Sequence, residues 1–401
     1  MRLINKITTN KKLMNQLRNL RSRLRRCTSL MYQIFAWFEA EYVWQKIRLQ
    51  YDGGKSGSQK KMHVLSIGQN WSFGPDSTVV EDVLLRPLEA SGLATHDLFH
   101  FDEYYHIHKQ SGDISLLELC IESKPDIMFL TWDNRVSWRG LSPDNPRLST
   151  LKIIAEKMRI PIVALWADSV WHIYTDNAEM LLPYVKFHIL FDSSIGLTRT
   201  SRPDKFLVIW APIDPRIYYN SGVRKDIPIV FLGSMDKPGR KEGIEALKSN
   251  GINIYHGGGI YPNDNTIPFD EYVQICMRVK IMINFSRSAH EFQLKGRIFE
   301  GMSYGAMLLE EDNPEIRRFF EPMVDYVPFT NEADLVEKAK YYLEHEAERA
   351  KIASNGHRKV KEKYNISIWF KTVFDRAFEG NSWEDIPNHE RKIGGGSNDI
   401  P

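Results

Sequence analysis

The chain has 401 residues, which exceeds the size of one ordinary hydrophobic core and predicts two domains with extensions. Its 42% hydrophobic and 26% charged residues exclude an intrinsically disordered protein. The formal net charge is +2, but residues 1–61 hold 14 Lys and Arg against three acids, so this segment carries +11 and the remainder −9. A basic arm on an acidic body favours an anionic partner.

The cysteines limit which cellular compartment and which class of cysteine site the sequence allows. Cys27, Cys120 and Cys276 lie far apart and form no C-x-x-C pair, so neither a disulfide framework nor a cysteine zinc site is indicated. A reducing compartment follows, and we expect a cytoplasmic protein.

The N-terminal arm, residues 1–61, is predicted to be helical. Residues 10–26 carry leucines at spacings of 4, 3 and 4, which is one stripe of a basic amphipathic helix: Leu13, Leu17, Leu20 and Leu24. A second, aromatic-rich segment runs from a cap at Thr28 or Ser29 to about Tyr51. It is interrupted by Glu39 and Glu41, so it is too short to span a bilayer, which needs about 20 apolar residues. A Gly- and Ser-rich linker follows at 53–58.

Two uses of this arm remain open from the sequence. A basic helix followed by aromatics can lie on an anionic membrane surface, at the inner face of a membrane for a cytoplasmic protein. Alternatively, residues 10–51 form a helical hairpin for self-association or for docking on the body of the same chain. Nucleic acid is the less favoured partner.

From residue 62 the pattern alternates between short apolar strands and helices, which predicts parallel sheets covered on both faces. We expect an α/β protein with two Rossmann-like domains facing a cleft. The predicted ranges are 62–215 for the first domain, 216–366 for the second, 367–380 for a helix crossing back to the first, and 381–401 for a flexible tail.

The first turn of the first domain, residues 68–74, does not match G-x-G-x-x-G, which disfavours a dinucleotide site. Ligands in such sheets usually bind at the carboxyl ends of the strands. That rule selects five loop residues, each of which could equally be a cap or a turn residue: Trp71, Asp133, Asn134, Asp168 and Ser169.

The most informative stretch runs from Gln293 to Glu310. It predicts a short helix that Gly296 begins and Gly305 ends, followed by a buried strand. Lys295 and Arg297 flank the helix start, where free backbone N–H groups and the helix dipole favour an anion such as a phosphate. The alternative is an amphipathic helix whose charges simply face water.

The pattern K-G-R-x-F-E-x-x-x-x-G-A-x-L-L-E, followed by N-P-E and F-x-E-P, resembles the C-terminal domain of the CgeB-type glycosyltransferases. These belong to the GT-B class and are related to glycosyltransferase group 1. The resemblance extends more thinly over residues 62–380. It implies a glycosyltransferase that moves a hexosyl or related group from a nucleotide-diphospho-sugar to an acceptor hydroxyl, in glycan or surface polysaccharide synthesis.

The resemblance also implies donor-binding residues. Gly233, Ser234 and Arg240 resemble the family element that binds the donor diphosphate, and Lys295 and Arg297 would supply the other cations. Glu300 would contact the sugar or ribose. Gly258, in a glycine run after a strand, would let the backbone meet the nucleotide base, and Ser286 follows the next strand toward the cleft.

The catalytic groups are less defined. His290 and Glu291 are candidates for handling the sugar or acting as a base. In the wider family seven residues separate two glutamates, whereas eight separate Glu291 and Glu300 here. If the reaction inverts the anomeric centre, Asp168 is the place to look for the base.

No D-x-D motif for a phosphate-bound metal is present, so we expect no metal and no cofactor beyond the nucleotide-sugar co-substrate. The expected acceptor is a glycan, a lipid-linked molecule or a protein. Two alternatives share the fold: a nucleotide-sugar 2-epimerase and a non-catalytic nucleotide-sugar-binding scaffold. The sequence does not distinguish the sugar, base, acceptor, stereochemistry or oligomeric state.

Overall fold

The structure is a computed structural model and describes residues 31, 33–51, 61–68, 84–131, 145–170, 172–257, 267–288 and 291–378, without the side chains of 171–176. Residues 10–26 of the predicted arm and the tail 381–401 lie outside these ranges. Within them Cys120 and Cys276 carry buried free thiols. No helix of the described part of the chain is long and apolar enough to cross a membrane.

The first sheet contains, in the described residues, six parallel strands in the order β2-β1-β3-β4-β5-β6. The strands are β1 Met62–Gly68, β2 Ala94–His100, β3 Ile127–Thr131, β4 Ile162–Trp166, β5 Phe187–Leu190 and β6 Phe206–Val208. The helices are α1 (residues 33–47), α2 Arg86–Ser91, α3 Phe101–His108, α4 Asp113–Ser123, α5 Leu148–Lys152, which continues as a π-helix over Ile153–Lys157, and α6 His172–Leu181. Short 3₁₀ turns cover Ser194–Thr198 and Pro203–Lys205.

The second sheet contains five parallel strands within the described ranges, in the order β11-β10-β9-β7-β8. They are β7 Ile227–Leu232, β8 Ile254–Gly257, β9 Val279–Asn284, β10 Met307–Glu311 and β11 Val327–Phe329. The helices are α7 Arg240–Ser249, α8 Phe269–Arg278, α9 Gly296–Ser303, α10 Glu332–Glu344, α11 Glu346–Lys363 and α12 Ile366–Ala377, with a 3₁₀ turn at Ile316–Arg318. The predicted α/β class with two parallel sheets is confirmed, while the domain boundaries stay predictions.

Three elements differ from the sequence prediction. The sequence predicts a strand over 324–327, but the strand begins only at Val327, because the Asp325 carboxylate accepts a hydrogen bond from the Glu321 backbone N–H and closes a turn there. Helix α3 and the three-residue strand β6 were not predicted. Both are short, so neither shows a full hydrophobic period.

Helix α12 carries the chain back from the second sheet to the first. Trp369 is fully buried, and its indole N–H donates to the backbone carbonyl of Trp210 at 2.7 Å. Phe374 stacks on Phe129 of β3 with ring centroids 6.3 Å apart. One apolar cluster therefore joins β3 and β5 of the first sheet to α9 and α12, and the two sheets share a core.

Candidate functional site

The order of the second sheet creates a crevice beside β7. This strand pairs with β8 on one side and with β9 on the other, so the connections leave in opposite directions and the carboxyl ends open between them. The chain segments that begin there are Gly233 and Ser234 after β7, residues 285–288 after β9, and the end of β10. Ligands bind at such a switch point in open α/β sheets.

Arg297, in the first turn of α9, lies against Gly233. A Cβ atom added to Gly233 would sit 2.7 Å from Nη1 of Arg297, so a larger residue there would displace the guanidinium. The arginine Nε donates to Oδ1 of Asn284 at 3.3 Å, and its guanidinium lies 5.4 Å from the centre of the Phe231 ring. The structure thus brings together Gly233 and Arg297, which the sequence had predicted separately.

The Arg240 guanidinium also lies 5.4 Å from the centre of the Phe231 ring, but this arginine is buried. Only 4% of it is exposed, and it donates to the carbonyls of Ser234 at 2.7 Å and Phe285 at 3.3 Å. Burial lowers its pKa, and the neighbouring Arg297 lowers it further. Arg240 therefore ties the loop after β7 to the loop after β9, and its predicted contact with a diphosphate stays a prediction.

Ser286 and Glu310 form a buried polar cluster beneath the crevice. The Ser286 hydroxyl donates to the Glu310 carboxylate, which also accepts from Asn284 at 2.8 Å and from Asn313 at 3.0 Å. Both residues are fully buried. Burial raises the pKa of Glu310 to about 8. The sequence left open that Glu310 lies in a solvated loop, which is wrong, and the Ser286 side chain is hydrogen-bonded within the protein.

Gln293 links the second sheet to the first. Its side-chain N–H₂ donates to Asp168 at 2.8 Å and to Asp192 at 2.7 Å, and its oxygen accepts from the Lys295 ammonium. Ser169 also donates to Asp192, from its hydroxyl at 2.6 Å and its backbone N–H at 2.9 Å. The network fixes Lys295 relative to both sheets.

Asp168 follows β4 and has a left-handed backbone with φ of 55°. It is exposed at the carboxyl edge of the first sheet, next to Gln293 of the second. A positive φ is uncommon for a residue other than glycine and is frequently found at functional sites. The position agrees with the sequence rule that selected Asp168, and its role as a base stays a prediction.

Glu300 and Glu291 lie in different surroundings. The Glu300 carboxylate accepts a hydrogen bond from the Tyr272 hydroxyl of α8, and burial raises its pKa. Glu291 is 42% exposed and pairs with Arg199 of the first sheet at 3.7 Å. The two glutamates, which are separated by one residue more than in the wider family, therefore contact different parts of the protein.

The remaining predicted residues divide into two groups. Ser234 donates through its hydroxyl to Asp236 at 2.8 Å at the mouth of the crevice. Several others lie outside the described residues: Trp71, Asp133, Asn134, Gly258 and His290. Among the described residues, no group of three or more His, Cys, Asp or Glu has the arrangement of a metal site.

Sequence reasoning missed Gln293, Asp192 and Glu315 as contacts between the sheets. Glu315 accepts from the Ser194 backbone N–H at 3.0 Å and hydroxyl at 2.7 Å, and so docks the segment after β10 on the first sheet. Gln293 and Glu315 both lie within or beside the quoted motif. Their polar side chains at these positions were the feature of the sequence that could have indicated the contacts. Asp192 had no such signal.

Comparison with known proteins gives a family for the second half. Residues 240–375 match the family model described as Glycosyl transferase-like. HepE of Anabaena, solved in complex with UDP-glucose, is 14% identical with a TM-score of 0.55 and covers 78% of this chain and 99% of its own. A glycosyltransferase of Rickettsia africae is 11% identical with a TM-score of 0.57 and covers 81% and 100%. No curated protein sequence gave a significant match.

This chain has the GT-B fold, and residues 240–375 are similar to glycosyl transferase-like proteins. The predicted fold class is therefore confirmed. The matched segment of the GT-B chain contains Arg240, Ser286, Lys295, Arg297 and Glu300. Gly233 and Ser234 lie just before it, and the first sheet lies wholly outside it.

Proposed function

We propose that this GT-B protein transfers a glycosyl group from a UDP-sugar to an acceptor hydroxyl. The observation that carries the proposal is that Arg297, in the first turn of α9, lies against Gly233 at the switch point of the second sheet, with Lys295 at the N-cap of the same helix. Two cations and the free N–H groups of a helix start suit a diphosphate. HepE, which shares the fold, was solved with UDP-glucose.

In this proposal the side chains of the protein balance the charge of the departing UDP. As the bond from the anomeric carbon to the diphosphate oxygen breaks, negative charge grows on the phosphates, and Lys295 and Arg297 stabilise it. No metal is assigned to this step. Glu300 would accept a hydrogen bond from a ribose or sugar hydroxyl, and Asp168 or Glu291 would take the proton of the acceptor.

The acceptor class and location complete the proposal. A glycan, a lipid-linked molecule or a protein would present the hydroxyl, in the synthesis of a glycan or surface polysaccharide. We place the reaction in the cytoplasm, peripheral to the inner face of a membrane. The free thiols of Cys120 and Cys276 support a reducing compartment.

UDP release and sugar transfer provide the direct test. In a panel of UDP-sugars the true donor should raise the melting temperature most, because a ligand stabilises the folded state in proportion to its affinity for it. Lys295→Ala and Glu300→Ala should then each reduce both UDP release and transfer to acceptor. Unchanged rates in both variants would contradict the transferase, and formation of the 2-epimer without acceptor would favour the epimerase.

The pH dependence of UDP binding should report on Lys295. Burial lowers the pKa of its ammonium to about 8, although nearby Asp168 favours the charged form. Lys295 is charged below this pKa and loses its proton above it, so the affinity for UDP should fall by roughly tenfold between about pH 7 and pH 9. Isothermal titration calorimetry measures the change.

The matched control is Lys295→Arg, which keeps its charge over this range. Titration of UDP itself affects both proteins equally, so the difference between them isolates Lys295. An equal fall in affinity for the wild type and Lys295→Arg would remove Lys295 from the diphosphate site.

A further inference from the structure

Helix α1 packs one face on the first sheet and its helices. Ala36, Ala40 and Ile47 are buried in the core that includes β1, β3 and α5. Val43 and Trp44 pack partly against the same cluster. This inner face confirms the docking of the arm on its own body for the described residues 33–51.

The acidic residues of α1 are used in this docking. Glu39 pairs with Arg147 at 2.5 Å and accepts from the Ser149 hydroxyl at 2.8 Å. Glu41 pairs with Lys157 at 2.5 Å. Both carboxylates therefore face the body, and apolar contacts and ion pairs hold the inner face of α1 against it.

The opposite face of α1 is apolar and exposed. We define this outer face as Ile34, Phe35, Trp37, Phe38 and Tyr42, which are between 48% and 66% exposed. Leu49, just after the helix, is 91% exposed. Exposed large apolar side chains are normal singly, but a contiguous group of this kind on one helix marks an interaction surface.

The charges around the outer face are positive. Lys46 lies over the Tyr42 ring at 4.2 Å, and Arg48 is also exposed. The 30 residues that precede the described helix contain nine Lys and Arg and no Asp or Glu. Since Glu39 and Glu41 are paired with the body, cations alone accompany the outer apolar side chains.

We propose that the outer face of α1 binds an anionic lipid surface and holds the GT-B body against it. Trp and Tyr suit the boundary between headgroups and acyl chains, because each combines an apolar ring with a polar group. The positive charges would be attracted to anionic headgroups. A second copy is the poorer occupant, because pairing two outer faces would bring two segments with nine positive charges each together.

Co-sedimentation of the full chain with vesicles tests this surface. Vesicles of phosphatidylglycerol should bind the protein, and vesicles of phosphatidylcholine should bind it weakly. Replacing two exposed rings by Phe35→Ser and Phe38→Ser should reduce binding to phosphatidylglycerol by about tenfold or more. Arg23→Gln, Arg25→Gln and Arg26→Gln together should reduce it by roughly fivefold per charge at low salt.

The control removes exposed apolar side chains elsewhere. Val223 and Tyr341 are 47% and 40% exposed in the second half, and Val223→Ser with Tyr341→Ser should leave vesicle binding unchanged. The two Phe substitutions should also leave the melting temperature and the release of UDP in solution unchanged, because neither ring is in the core or the crevice.

Two results would overturn the proposal. One is vesicle binding that the Phe substitutions do not change. The other is a dimer in the absence of vesicles that these substitutions dissociate, which would assign the outer face to a second copy.

Discussion

Arg297→Ala should lower kcat/KM for sugar transfer by about 10²-fold or more, since removing one donor to a developing anion typically costs that much. The affinity for UDP should fall as well, because the guanidinium beside Gly233 is lost from the ground-state complex too. Arg297→Lys should restore only part of the activity, because an ammonium lacks the planar fork that grips two phosphate oxygens. Steady-state kinetics and calorimetry with UDP measure both effects.

Arg278→Ala is the matched control for Arg297→Ala. Arg278 belongs to the same half of the chain but precedes β9, at the opposite edge of the sheet, and pairs with Asp226 at 2.7 Å. An exposed ion pair of this kind contributes little to stability. Equal losses of activity in the two variants would mean that Arg297 supports the fold and does not act on the diphosphate.

Trp369→Ala should lower the free energy of unfolding by about 3 to 5 kcal/mol, as large-to-small substitutions of buried aromatics do. The indole is fully buried and packs against Phe129 and Phe191 of the first sheet. Its loss would leave a cavity and would also remove the hydrogen bond to the carbonyl of Trp210. Urea unfolding followed by circular dichroism measures the change.

Two further variants help to explain the loss of stability expected for Trp369→Ala. Trp369→Phe fills most of the cavity but cannot donate a hydrogen bond, so it should cost about 1 to 3 kcal/mol. Trp37→Ala removes a 48% exposed indole and should change the free energy of unfolding by less than about 0.5 kcal/mol. If Trp369→Ala were no more destabilising than Trp37→Ala, α12 would not hold the two halves together.

The helices of the second half were predictable because their signals are local. The sequence predicts helices over 269–278, 332–344 and 346–363, and these are the observed bounds of α8, α10 and α11. Asn331 caps α10 by accepting from the Asp334 backbone N–H at 3.0 Å. Such caps and apolar periods involve residues within a few positions of one another, so they can be read along the chain.

The partners of the polar site residues were not predictable in the same way. The Arg240 guanidinium donates to the carbonyl of Phe285, 45 positions away. Gln293 donates to Asp168, 125 positions away. These contacts depend on which loops the two sheets bring together, and no local pattern encodes them. Arg240 and Ser286 therefore looked like exposed ligand groups in the sequence and are buried in the structure.

The sequence by itself determined the class of the protein: two alternating strand and helix patterns, a helix start with Lys295 and Arg297, and a basic arm. These follow from periodicity, composition and a short motif, which are properties of the chain alone. Only the tertiary structure decided that Arg297 lies against Gly233, that Gln293 joins Lys295 to the first sheet, and that α1 exposes an aromatic face. Burial and pairing are set by packing between distant segments, because the desolvation cost of burying a polar group is offset only where hydrogen-bond partners surround it.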